Sequence, residues 1–193
     1  VAAEAVRRGS ALVGVGAARS PLADIVTQSG SVLLPVDAGG RLPRANLWAL
    51  SVPLLLLADA LHLAAVPAAV LEATADVLDR VSETCRPASE SFVNPAKTLG
   101  LELAGSLPLV WGGPGIGALA AYRLGCQLNE NAKYPVVVGM VPEAQHNQVV
   151  ALDGPFGRGS VPDAADFFRD RGEDEEETRL RLVLLRDPEE HAQ

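Results

Sequence analysis

His146 is one of three histidines in the 193-residue chain, and it follows Glu143 by three positions in VPEAQHNQ. On a helix, that spacing puts a carboxylate and an imidazole on one side, where both can reach a single metal. No second histidine or clustered carboxylate lies nearby to complete a ligand set, so the metal reading is weak. A histidine in a surface loop is the plain alternative. Against it stand the amides Gln145, Asn147 and Gln148, a type of neighbour that fixes an imidazole's orientation.

NENAK, Asn129–Lys133, closes an apolar helical pattern. A solvated helix end with Lys133 answering the macrodipole accounts for the lysine. Glu130 does not fit that account, because a carboxylate near a helix C-terminus is mildly unfavourable. Such a local conflict is a modest pointer to function. In LPRAN, Arg44 stands at the start of the longest apolar run, where a cation is again on the wrong end of a helix; it is either a surface cation or an anion ligand facing a cleft. GGPGIG, Gly112–Gly117, joins a strand pattern to a helix pattern. Its backbone N–H groups, those of Gly113 and Gly115 among them, either face an anion or simply make a tight turn. The spacing fits neither the dinucleotide fingerprint nor the P-loop. No acidic residue follows the next strand, which excludes a nicotinamide cofactor.

These residues need elements to carry them. Strand patterns at Ala11–Ala17, Ser31–Val36, Leu107–Gly112 and Tyr134–Val141 alternate with helix patterns. Short apolar strands between helices predict an α/β architecture around a parallel sheet. Ser20-Pro21 and Asn94-Pro95 each read as an N-cap followed by proline in the first turn. The run Leu47–Val66 contains Pro53, Asp59 and His62; it is too short and polar for a membrane span and predicts a buried core helix. Pro67 restarts a helix that Pro87 ends, so residues 46–90 read as a helical connection between two α/β halves. Beyond Gly154 the chain turns polar and then acidic at Glu173–Glu177. A short helix is expected at DAADFFRD, and a last strand, RLRLVLLRD, is expected to join the sheet.

Hydrophobic residues make up 48% and charged residues 21%, which is globular composition. Aromatics are only 4%, so the core must be mostly Leu, Val and Ala. A net charge of −8 disfavours duplex nucleic acid or an anionic membrane as a general partner. Cys85 and Cys126 form no CxxC pair and read as reduced thiols in a cytoplasmic protein. The chain opens in a helix tail without an initiating methionine and stops soon after a strand, so both ends are expected to be truncated.

LPRANLWALSVPLLLLADAL, NPAKTLGLELAGSLPLVWG, AAYRLGCQLNENAKYPVV and VPEAQHNQVVAL together resemble the sugar isomerase (SIS) domain superfamily. Within it they resemble the bifunctional phosphoglucose/phosphomannose isomerase family, over most of Val1–Leu152. The resemblance implies a three-layer αβα fold holding the end of one SIS subdomain, 1–45, the helical connection, 46–90, and most of a second, 91–193, with an acidic excursion at 155–178 and its C-terminal helix missing. It implies an aldose–ketose isomerase that interconverts glucose 6-phosphate or mannose 6-phosphate with fructose 6-phosphate through a cis-enediol(ate). Glu130 matches the base that carries a proton between C2 and C1, His146 the ring opener, and Arg44 the cation that stabilises developing negative charge. Lys133, Gly113 and Gly115 are the expected substrate contacts. No metal or organic cofactor is implied.

The family's Ser/Thr-rich phosphate loop has no counterpart here, so the 193 residues alone are expected to be inactive. The acidic excursion resembles a subgroup with degenerate active sites. A non-catalytic SIS-type module that binds a sugar phosphate is therefore the rival reading. Glu130 precedes the strand YPVVVGMV and His146 follows it; eight extended residues span roughly 26 Å. Unless the chain folds back sharply, a shared site needs two subunits. The family agrees, since there the histidine comes from the neighbour, and a homodimer is the expected partner arrangement.

Overall fold

The computed structural model describes residues 1–157 and 179–186. The expected DAADFFRD helix, the acidic run Glu173–Glu177 and the terminal PEEHAQ lie outside the described residues. The chain divides into two compact units, Val1–Ser82 and Glu83–Gln193.

In the first unit, α1 (Ala2–Arg7) leads to β1 (Val13–Gly16), α2 (Pro21–Gln28) and β2 (Val32–Pro35). β1 and β2 pair in parallel, Val13 opposite Val32, as alternating strand and helix patterns require. Ser20 caps α2: its Oγ accepts the Ala23 N–H at 3.2 Å, with Pro21 in the first turn. Ala23 and Val26 are the buried side chains of α2. Gly14 of β1 lets the helix lie close, since a Cβ there would sit 2.7 Å from Val26 Cγ2.

The longest apolar run departs from its expected form. Helix α3 covers only Leu47–Ala60, and none of its residues is buried; Leu54 keeps 51% and Leu56 48% of their surface exposed. Apolar residues lie all round this helix, so no single buried stripe forms. It ends where His62 takes a left-handed backbone, φ 57°. Asp59 then accepts the Val66 N–H at 2.9 Å, tying down the residues past the helix. Helix α4 (Ala68–Cys85) follows, with Leu71, Thr74 and Leu78 its more covered face.

In the second unit, α5 (Pro95–Leu103), β3 (Ser106–Gly112), α6 (Ile116–Gln127), β4 (Val137–Met140), α7 (Glu143–Asn147) and β5 (Arg179–Leu185) build a three-stranded parallel sheet in the order β4-β3-β5. The expected last strand does join the sheet, Leu109 facing Leu182. Central β3 is buried almost throughout, as a strand with neighbours on both edges should be. Asn94, 1% exposed, caps α5 twice, its Oδ1 accepting Ala96 N–H at 3.0 Å and Lys97 N–H at 3.1 Å. Its Nδ2 donates to the Arg86 carbonyl at 3.0 Å and so pins the preceding loop. The expected eight-residue strand is shorter in the structure: only Val137–Met140 enters the ladder, and Tyr134–Val136 approaches it unpaired.

Candidate functional site

The backbone of β4 sets the distance between the two polar motifs around it. Helix α6 descends alongside, brought close by Gly125, where a Cβ would meet Val138 Cγ2 at 2.6 Å. The helix was expected to continue through NENAK; instead it ends at Gln127 and widens into a π turn over Leu128–Ala132. Single π turns are rare and are frequent at functional sites. Lys133 closes this one in a left-handed conformation, φ 59°, and both Lys133 and Tyr134 direct their N–H groups to the Leu128 carbonyl. Glu130 is exposed on the turn. The Lys133 ammonium bonds the main-chain carbonyl of Glu130 at 2.5 Å. Tyr134 anchors the exit, its hydroxyl donating to the Leu103 carbonyl at 3.0 Å.

His146 lies past the other end of β4, exposed on the one-turn helix α7 rather than in a loop. Glu143 is engaged by Asn147, whose Nδ2 donates to Glu143 Oε1 at 3.0 Å. Among the described residues, no group of three or more His, Cys, Asp or Glu is placed to hold a metal ion. What holds α7 is Gln148. Its Oε1 accepts Trp111 Nε1–H at 2.7 Å and its Nε2 donates to the Val138 carbonyl at 3.3 Å. Ala144, buried, packs with Leu109 and Trp111. The structure therefore sets Glu130 before β4 and His146 after it, with four paired residues between.

GGPGIG makes the turn from β3 into α6, and its glycines have different reasons. A Cβ on Gly112 would overlap the backbone of Gly117, so Gly112 permits strand and helix to touch. Gly115 takes φ 76° immediately before α6, a conformation that favours glycine. Gly113 has open space around its Cβ position and no left-handed backbone. Local geometry thus leaves Gly113 unconstrained, unlike Gly112 and Gly115.

Arg44 belongs to the first unit, half-buried within a 3₁₀ turn at Pro43–Ala45. Buried Asn46 shapes that turn, its Nδ2 donating to the Arg41 carbonyl at 3.2 Å and the Leu42 carbonyl at 3.0 Å. Asn46 and Trp111 are supporting residues that the sequence reading missed; Gln148 was singled out there only as one of the amides beside His146. For Asn46 the available signal was an amide directly ahead of a helix; nothing local marked Trp111.

A family model described as the bacterial phospho-glucose isomerase C-terminal SIS domain matches residues 92–193, just over half of the chain. That range holds Glu130 and His146 but not Arg44. A curated relative, the bifunctional phosphoglucose/phosphomannose isomerase of Caldicellulosiruptor bescii, is 31% identical over 134 residues, 69% of this chain. The chain spans 39% of that relative's length. No solved structure matches. No described helix is long and apolar enough to cross a membrane.

Proposed function

Because the chain belongs to the bacterial phospho-glucose isomerase C-terminal SIS domain family, we propose that it forms part of a phosphosugar aldose–ketose isomerase. The substrates proposed are glucose 6-phosphate or mannose 6-phosphate, and the product is fructose 6-phosphate. The observation that carries this reading is the exposed π turn presenting Glu130, within the matched residues and paired in sequence with an exposed His146.

Each role follows from residue chemistry. Isomerisation must remove a proton from one carbon and return it to the next, and a carboxylate such as Glu130 does this without a cofactor. Ring opening needs a proton moved at the ring oxygen, which suits the imidazole of His146. The enediolate needs a permanent cation, the role given to Arg44. Lys133 is given the substrate's anionic groups, and Gly113 and Gly115 a close backbone approach to them. The placement of Glu130 and His146 on either side of β4 supports a site completed by a second copy, which donates its own histidine.

The test is turnover. The full protein containing this chain is expected to convert glucose 6-phosphate or mannose 6-phosphate to fructose 6-phosphate, and Glu130→Gln to abolish conversion. The 193-residue chain by itself is expected to be inactive, and measurable isomerisation by it overturns that expectation. Stabilisation by a sugar phosphate without turnover, unaltered by Glu130→Gln, establishes the rival binding module instead.

A further inference from the structure

Two strands are shaped around the amide of Gln148. From β3, Trp111, 4% exposed, offers its indole N–H to Oε1 at 2.7 Å. From β4, the Val138 carbonyl takes Nε2–H at 3.3 Å. The residue after Val138 is Gly139. A Cβ there would lie 2.6 Å from Gln148 Oε1, 2.7 Å from Ala144 Cβ and 2.8 Å from Trp111 Cδ1. The missing side chain at Gly139 is the space in which the amide and the indole meet.

This arrangement fixes a polarity as well as a place. A primary amide accepts from the indole N–H at one atom and donates to a carbonyl at the other. A glutamate retains the acceptor but has no donor for Val138, and an apolar side chain satisfies neither partner. Trp111 has no other use for a buried N–H, which is a donor only. The bonds therefore join α7 to the two strands beneath it at one point, two residues from His146. The short helix has no side-chain cap of its own.

We propose that Gln148 is a positioning residue for His146, with Trp111 as its anchor. The proposal rests on the isomerase reading for its catalytic consequence, though not for its structural one. With the amide removed, α7 loses its side-chain bonds to both strands and the imidazole samples more than one orientation. Misplacement of about 1 Å costs on the order of a hundredfold in a reaction that depends on alignment. Substrate contacts elsewhere are untouched, so the effect falls on kcat.

The experiment compares Gln148→Ala and Trp111→Phe with the unsubstituted full protein. The expected results are a kcat lower by about ten- to a hundredfold with KM within about twofold, and broadening of the His146 imidazole NMR signal, assigned by its loss in His146→Asn. Because both variants break one bond system, the double variant is expected to be no slower than the slower single one. An unchanged His146 signal in a folded variant overturns the proposal, as does a loss confined to KM or a double variant in which the two effects multiply. If Gln148→Ala fails to fold, Gln148→Met decides, since it keeps the length of the side chain and loses both amide bonds. Absence of turnover in the unsubstituted protein refutes the isomerase reading. The NMR signal, read without substrate, still decides whether Gln148 orders His146.

Discussion

Lys133 reaches back to the carbonyl oxygen of Glu130 at 2.5 Å from a left-handed backbone. The lysine thus closes the π turn on which the carboxylate stands. A left-handed conformation costs a non-glycine residue about 1 kcal/mol, and the ammonium–carbonyl bond is exposed and offsets little of it. A glycine at this position would suit the backbone better.

Lys133→Gly is therefore expected to leave thermal stability unchanged or raise it by up to ~1 kcal/mol. The same change is expected to weaken sugar phosphate binding, seen as a higher KM or a smaller ligand-induced melting shift. A variant that loses stability shows that the lysine's bond, and not its charge, is what the turn needs.

Gly112, the last residue of β3, and Gly113 after it separate packing from function. Gly112→Ala drives a Cβ into the backbone of Gly117 and is expected to destabilise by about 3 kcal/mol, read by urea denaturation. Gly113→Ala meets nothing and is expected to fold normally. If Gly113 lies against substrate, that variant raises KM without shifting the denaturation midpoint. An unchanged KM removes Gly113 from the substrate contacts.

Asn94→Ala removes two cap bonds and the tie to the Arg86 carbonyl from a buried site. The expected loss is about 2 kcal/mol, a cap's usual worth plus an unsatisfied carbonyl. Asn94→Asp keeps the acceptor and loses only the tie, so it is expected to fall between the two in chemical denaturation. Equal losses in both variants place the whole effect in the tie.

What could be read from the sequence was what local chemistry writes there. Ser20-Pro21 and Asn94-Pro95 start helices because cap and φ preference act within three residues. The parallel sheet followed from short apolar runs separated by helices. Glu130, His146 and Arg44 were singled out by residue type and by the family resemblance, and the bonds around them were not legible in the sequence. Gln148 finds Trp111 through the pairing of β3 with β4, which no local pattern announces. The π turn at NENAK differs from an α-helical end by backbone bonding alone. The apolar run at Leu47–Ala60 misled for a different reason: burial depends on what a helix meets, and composition does not record that.

The place of β3 in the sheet also bears on the order in which the sheet is assembled. Leu109 pairs with Val137 on one side, and Ser106 pairs with Arg179 on the other. The second closure spans about two and a half times more chain, yet the logarithmic dependence of chain entropy makes it only ~0.8 kcal/mol costlier. Pairing of β4 with β3 sets NENAK and the α7 turn at the two ends of one strand. The motif-bearing edge of the sheet is thus the one specified by near neighbours in the chain, while the β5 edge draws on residues far along it.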